Sequence, residues 1–346
     1  MKTLKQLKSI SNTFFKLCDK TALTKPWAVC LAMHEYARNT YPVDPYIPFS
    51  DKLCHTERLY TVTRNLIDYL GSVEKLGYYA LNFKGQNVAD VKKRTGMIYG
   101  NLWHKFSYDD LTRGAQNILK ERLQKNGFNL GFLRGKKAID IGCGSGRFSF
   151  ALEKLGCDKV VGVDYGDKGL EIARLIARKA RVKNVNFRKV NILDLPFADN
   201  SFDFVFCNGV LHHTQNLPKG IREMVRVAKK GAKIWLYLYG SGGIFWYARK
   251  KMPQIMNKIP QEYTIAILDM IGMPQNRFIF CDNWYVPIEK HSRDNEIRRI
   301  LKDCGITKIK RLKHGRSTDL KSFVLNGGEV GKIMWGDGEL RYILEK

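Results

Sequence analysis

The sequence predicts an α/β fold: a parallel sheet with helices on both faces, preceded by a helical extension. Three observations predict it. Over residues 136–149 an apolar run ends in the acid Asp140, Gly142, Gly144 and Gly146 alternate with other residues, and Phe148, Leu152 and Leu155 follow at helical spacing. That is strand, tight turn and helix. From 136 to 240 strand-like and helix-like stretches alternate, as in a sheet wound with helices on both sides. Residues 1 to about 70 instead carry apolar residues at helical spacing, with breaks at Pro26 and at the proline-rich stretch 41–48.

Taken in order, Leu4, Leu7, Ile10, Phe14, Leu17 and Cys18 mark one apolar helix face. Residues 71–95, with Gly71, Gly77 and Gly85 among aromatics, read as a mixed linker. Residues 95–107 are rich in aromatics, and 109–125 read as a helix leading into the sheet. Strands are expected at 137–141, 159–164, about 185–190, 202–208 and 233–239. Leu170, Ala173, Ile176, Ala177 and Ala180 form the apolar side of one helix, and 217–228 another, followed by a turn at 229–232. After Gly240-Ser-Gly-Gly243 come Ile244, Phe245, Trp246 and Tyr247. They read equally as the near wall of an acceptor pocket or as an aromatic plug under the next helix. Residues 255–271 look helical, 284–287 look like a loop, and 295–304 form a helix stopped by Gly305. Strands at 306–312 and 339–344 close the fold; the basic run from Lys308 to Arg316 reads as the wet face of an edge strand. The organisation expected is a helical extension over 1–95, lid or linker helices over 96–135, and an α/β domain over 136–346 with an insertion at about 241–290.

The spacing of the glycines narrows the ligand. A dinucleotide site uses Gly-x-Gly-x-x-Gly to seat a pyrophosphate. Here the pattern is Asp140-x-Gly-x-Gly-x-Gly146, with a carboxylate that repels phosphate and suits a cationic amino group. Val160-Val-Gly-Val-Asp164 is a second buried-strand run ending in an acid, which suits a pair of ribose hydroxyls. The ligand implied has an adenosine, a positive group and no phosphate.

These residues resemble those of the class I S-adenosylmethionine-dependent methyltransferases, most closely the small-molecule branch typified by the ubiquinone and menaquinone biosynthesis C-methyltransferases. The resemblance rests on Asp140-Ile-Gly-Cys-Gly-Ser-Gly146, Val161-Gly-Val-Asp164, Asp194-Leu-Pro-Phe-Ala-Asp-Asn-Ser-Phe-Asp203 and Val210-Leu-His-His213, and covers roughly residues 135 to 240. It implies a Rossmann-like, seven-stranded, mostly parallel sheet with an antiparallel last strand. It implies S-adenosyl-L-methionine as cofactor, held by Asp140, Gly142, Cys143, Gly144, Gly146, Asp164, Tyr165, Asn191, Ile192 and Asn208. Asn191 stands where the family usually has an acid for the adenine amino group; an amide oxygen accepts that bond too. The aromatic segment ahead of the sheet often folds over the cofactor in this family. Tyr99, Trp103, His104 and Phe106 are therefore lid candidates, since aromatic faces attract a sulfonium; anchoring a helix is the competing role.

For chemistry, Val210-Leu-His-His213 lies after the fourth strand, on the edge of the sheet where ligands gather. His213 is the candidate catalytic base, a neutral imidazole able to take a proton from a hydroxyl, amine or acidic carbon. The Asn-Pro-Pro-Tyr of amino-group nucleic-acid methyltransferases and the Pro-Cys of cytosine C5 enzymes are missing from this place, where Cys207-Asn-Gly-Val stands. No metal-ligand spacing occurs and none of the eight cysteines forms a Cys-x-x-Cys pair. Lys+Arg 59 against Asp+Glu 33 gives a net charge of +26, spread almost evenly along the chain. An even spread favours a basic background over one binding arm, so nucleic acid is an open but disfavoured partner. The acceptors expected are a small molecule or a lipid or glycan precursor, with RNA methylation and non-catalytic cofactor binding as alternatives. The N-terminus is charged throughout, no run reaches the roughly 20 apolar residues of a membrane helix, and the expected location is the cytoplasm.

Overall fold

The computed structural model describes residues 2–40, 55–75, 108–273, 277–286, 288–316 and 319–346. The elements run α1 Leu4–Thr21, α2 Pro26–Thr40, α3 His55–Lys75, α4 Tyr108–Gln124, β1 Lys137–Ile141, α5 Arg147–Lys154, β2 Lys159–Asp164 and α6 Asp167–Lys179. Then follow β3 Val185–Lys189, β4 Phe202–Asn208, α7 Leu217–Val227, β5 Ala228–Tyr239, α8 Gly243–Met256, α9 Gln261–Met270 and α10 Arg277–Tyr285. The last are α11 Asp294–Asp303, β6 Lys308–Arg311, α12 Leu320–Trp335 and β7 Glu339–Glu345. Two compact units form, one from residues 1–89, 241–287 and 323–338, the other from 90–240, 288–322 and 339–346.

The second unit is built on a seven-stranded sheet in the order β3-β2-β1-β4-β5-β7-β6. Strands β1 to β5 pair in parallel, and β7 runs antiparallel to both β5 and β6. This is the Rossmann-like, mostly parallel sheet with an antiparallel last strand that the sequence predicts. The order reverses at β1, which has β2 on one side and β4 on the other. Connections leave such a pair in opposite directions and open a crevice beyond the strand ends.

Alternation along the strands sends residues to two cores. Ile139 and Ile141 of β1, Val205 and Cys207 of β4, and Ile234, Leu236 and Leu238 of β5 pack with Ile221 and Met224 of α7 and Ile297 and Leu301 of α11. Ala138, Phe204, Phe206 and Trp235 face the other way, onto Leu119 and Leu123 of α4, Phe148 and Leu152 of α5, and Leu170 of α6. Phe202 breaks the period. It sits in the first core although two residues from Phe204, because the β4–β5 register shifts between them; one irregular residue flips every side chain before it.

The first unit is helical. Phe14 of α1 stacks on Tyr36 of α2 at 5.0 Å, and the Tyr36 hydroxyl donates to Ser11 Oγ at 2.8 Å. Trp246 Nε1 donates to the Trp335 carbonyl at 3.1 Å, and Trp335 Nε1 to that of Thr40 at 3.0 Å. Pro26 opens α2 instead of merely interrupting a helix, since the first turn needs no N–H there. Helix α3 continues through Gly71, read from sequence as linker, because open space surrounds Gly71 and buried Val73 holds the last turn. Trp284 and Tyr285, read as the start of a loop, end α10 with both side chains buried. The turn expected at 229–232 is absorbed into β5, which bends at Gly231 (φ 75°). The stretch 41–48 and the lid candidates Tyr99, Trp103, His104 and Phe106 lie outside the described residues. No helix among the described residues is long and apolar enough to cross a membrane.

Candidate active site

The turn after β1 is tied to the end of β2. Gly142 and Cys143 donate their N–H groups to the Val163 carbonyl at 2.7 and 3.0 Å. Gly144 N–H donates to Asp164 Oδ2 at 2.8 Å, and Gly166 N–H donates to Asp164 Oδ1, also at 2.8 Å. Asp164 thus clamps its own turn against the glycine turn. Each carboxylate oxygen offers about two acceptor positions, and with the Tyr165 N–H also directed at the carboxylate there is room for about one further donor.

The glycines of the turn all have positive φ: 74° at Gly142, 53° at Gly144 and 82° at Gly146. Their necessity is partly steric. A Cβ on Gly142 would sit 2.3 Å from Val210 Cγ2, and one on Gly146 would sit 2.6 Å from Phe187 Cζ. Gly162 on β2 is constrained in the same way, by Phe187 at 2.7 Å and Ser149 Oγ at 2.9 Å. The turn is therefore shaped by packing as well as by conformational freedom. Val210 and Phe187 could not be read as its partners from the chain, for they lie 68 and 41 residues away.

Asp140 is 2 % exposed and accepts a hydrogen bond from Ser149 Oγ at 2.6 Å. Burial pushes its carboxyl up to about 7; the Ser149 hydrogen bond opposes the rise, the Asp164 charge adds to it, and Arg147 also opposes it. Asp164 is raised too, chiefly by burial, against the N–H groups of Gly166, Gly144 and Tyr165. The two acids interact, so the strand-end carboxylates flank one turn. Asp140, however, reaches a ligand through its field, since it is buried and engaged by Ser149. Ser145 Oγ is buried in the same turn without a hydrogen-bond partner among the described residues. Cys143 is buried, with its thiol pushed well up by burial, so its backbone is what it offers the turn.

Beyond β2, Tyr165 is 46 % exposed with Lys189 Nζ 5.7 Å from its ring centre. Val190 N–H donates to the Asp164 carbonyl at 2.9 Å, which holds the next residues, Asn191 and Ile192, beside the β2 end. Asn191 is exposed, and its Oδ1 accepts the Leu193 N–H at 3.1 Å, so this oxygen also shapes the local turn. Ile192 packs half-buried on the first core. Asn208 at the end of β4 accepts the Trp235 indole N–H on its Oδ1 at 3.0 Å. Its amide NH2 and one acceptor position on Oδ1 are left to contact a ligand.

After β4 the chain makes a short turn, Leu211–His213. His212 is fully buried and stacks on Tyr239, centroids 3.7 Å apart. His213 is half-buried, its ring edge-on to Tyr239 at 5.5 Å, and Tyr237 lies 6.0 Å from His212. His213 Nδ1 lies 2.8 Å from the Ile288 carbonyl. A carbonyl only accepts, so Nδ1 carries the proton and Nε2 the basic lone pair.

Residues 288–292 were not legible as part of this site. Besides the Ile288 contact, Lys290 N–H donates to the His212 carbonyl at 2.8 Å and Ser292 N–H to the Tyr239 carbonyl at 3.2 Å. Nothing in their composition signals this role; it follows from where the chain returns before α11.

A family model described as "Methyltransferase domain" matches residues 133–306, just over half of the chain. The demethylmenaquinone methyltransferase of Staphylococcus aureus (strain MRSA252) is 29% identical over 149 residues, 41% of this chain and 59% of the relative. Its counterpart in strain JH9 matches to the same extent. The chain thus spans about three fifths of the length of these curated relatives. Among solved structures, a putative S-adenosyl-L-methionine-dependent methyltransferase from Methanococcus maripaludis shares 17% identity at a TM-score of 0.44, covering 76% of this chain and 97% of its own.

Proposed function

The chain belongs to the methyltransferase-domain family, and from that premise we propose that it transfers a methyl group from S-adenosyl-L-methionine to a small-molecule, lipid or glycan-precursor acceptor. The observation that carries the reading is the glycine turn between two interacting carboxylates, Asp140 and Asp164. Two acids oppose a phosphate and favour a cation. Asp164 keeps acceptor capacity for a ribose hydroxyl, Tyr165 presents a partly exposed ring to an adenine, and buried Ser145 Oγ has a hydrogen bond still to make. These residues, with the turn backbone at Gly142, Cys143, Gly144 and Gly146 and with Asn191, Ile192 and Asn208, fit the cofactor.

When bound, S-adenosyl-L-methionine supplies a methyl group on a positive sulfur, displaced to leave a neutral thioether. The chain's own task is then to align an acceptor and hold its proton balance. Alignment of two reactants in an attack-ready geometry can be worth up to about 7–11 kcal/mol. His212 stacks on Tyr239 and Tyr237 meets both rings edge-on, an aromatic cluster after β4 and at the end of β5 that backs His213 on the acceptor side. His213 takes the acceptor's proton on Nε2, its other nitrogen being committed to Ile288. The seven described cysteines are free thiols, which supports a cytoplasmic setting.

Turnover of labelled cofactor by the purified chain in a cell extract, followed by mass spectrometry of the labelled product, tests the reading. A methylated product formed by the wild type and lost with His213→Gln is expected. Cofactor binding with no transfer to any extract component would leave only a binding protein. A second reading, RNA methylation, is favoured by one observation: the exposed side chains of Arg178, Lys179, Arg181 and Lys183 make no hydrogen bond or ion pair with a described residue. Salt-dependent retention on RNA would support it, and no retention at low salt would dismiss it.

A further inference from the structure

Residues 288–292 carry a buried pair that the proposed chemistry does not use. Along this extended segment the main chain of every second residue is spent on the site: the Ile288 carbonyl on His213 Nδ1, Lys290 N–H on the His212 carbonyl and Ser292 N–H on the Tyr239 carbonyl. The Lys290 ammonium adds a bond to the Gln215 carbonyl on the other side of the histidine turn. The two residues between, Glu289 and His291, project together and bond to each other through Glu289 Oε1 and His291 Nε2. Their side chains are only 6% and 2% exposed. A carboxylate and an imidazole are costly to bury, and the bond between them offsets part of that cost.

We propose that residues 288–292 form a positioning strap, in which the Glu289–His291 bond sets the place of the Ile288 carbonyl and so selects the tautomer and tilt of His213. The logic is geometric. The Ile288 carbonyl and Glu289 belong to adjoining peptide units, so a shift of the Glu289 side chain turns the carbonyl. An imidazole whose Nδ1–H has lost its acceptor is free to place the proton on Nε2, where it cannot act as a base. Glu289 and His291 are thus positioning residues acting through His213. This inference rests on the reading of His213 as the base, but its first test does not.

That test is nitrogen NMR of the full chain labelled with 15N-histidine, without cofactor, at a pH about two units above the ordinary imidazole value near 6.5. The His213 signals are assigned by their loss in His213→Gln. In the wild type the ring nitrogens of His213 are expected as a single Nδ1–H tautomer. Glu289→Ala and His291→Asn are expected to convert it to a mixture, while the isosteric Glu289→Gln, which still offers an oxygen to His291, stays close to wild type and controls for folding. Nδ1–H in all of these folded variants, or Nε2–H in the wild type, would overturn the strap. Once an acceptor is known, Glu289→Ala should lower kcat by about tenfold or more with KM little changed, as a misplaced catalytic group does. If His213→Gln keeps full activity while the tautomer shift is seen, the base reading fails and the strap stands.

Discussion

Gly142 shows how one position serves two ends at once. Its φ of 74° is open to glycine, and the Val210 methyls fill the volume where a Cβ would go. Left-handed backbone costs an ordinary residue about 1–2 kcal/mol, and overpacking typically adds about 1–3. Gly142→Ala should therefore lose about 2–5 kcal/mol in denaturant unfolding. Val210→Ala in that background should recover part of the loss, whereas no recovery would mean Val210 is not the obstacle. Asp140 makes a pH-dependent prediction. Folded, its carboxyl holds a proton to about pH 7; unfolded, it releases it near the ordinary value of 3.8. Between those values the unfolded chain binds fewer protons than the folded one, so this group makes stability fall as pH rises from about 4 to 7 and then level off. Asp140→Asn should remove that fall. The cofactor-free variant is expected to be more stable than wild type at pH 8, on the order of 4 kcal/mol, with little difference at pH 4. A difference independent of pH would contradict the assignment.

At the scale of elements, much was legible and the exceptions have identifiable causes. The strands carrying the turn, β1 and β2, match their sequence boundaries because a buried parallel strand is an unbroken apolar run ending in a marked residue. The edge strand β6 is shorter than its apolar pattern, Lys308–Arg311 within the expected 306–312, although β7 also accepts hydrogen bonds from the flanking Thr307 and Leu312 N–H groups. Trp284 and Tyr285 were misread because aromatics next to Pro287 satisfy loop and helix patterns equally well, and burial decides between them. The strap at 288–292 was invisible because main-chain contacts leave no mark on side-chain composition. Helix α6 ends on another such choice. Ala180 is its cap and Arg181 follows at φ 52°, a conformation that glycine adopts freely. Arg181→Gly should raise the thermal midpoint, by about 0.5–1 kcal/mol of stability; a loss would mean that the arginine side chain makes a stabilising contact.

For the whole molecule, the sequence marks the sheet unit clearly and the helical unit faintly. The glycine turn, Asp164 and each strand are local patterns, every one complete within a dozen residues. The helical unit instead draws on three separated stretches, 1–89, 241–287 and 323–338, and no local pattern announces that they fold together. Ile244, Phe245 and Trp246, read as either pocket wall or plug, are buried in that unit, with Trp246 bonded to Trp335. The helical unit's contacts are ordinary packing between residues far apart in the chain, which carry no local signature.

The central claim is that Asp164 and the turn it clamps seat an adenosyl sulfonium. Titration calorimetry of the purified chain with S-adenosyl-L-methionine tests it most directly, with Asp164→Ala and a nicotinamide dinucleotide as comparisons. Saturable binding by the wild type, a loss of about a hundredfold or more in Asp164→Ala as two hydrogen-bond acceptors go, and no heat with the dinucleotide are expected. Unchanged affinity in Asp164→Ala, or binding of the dinucleotide in preference, would contradict the account.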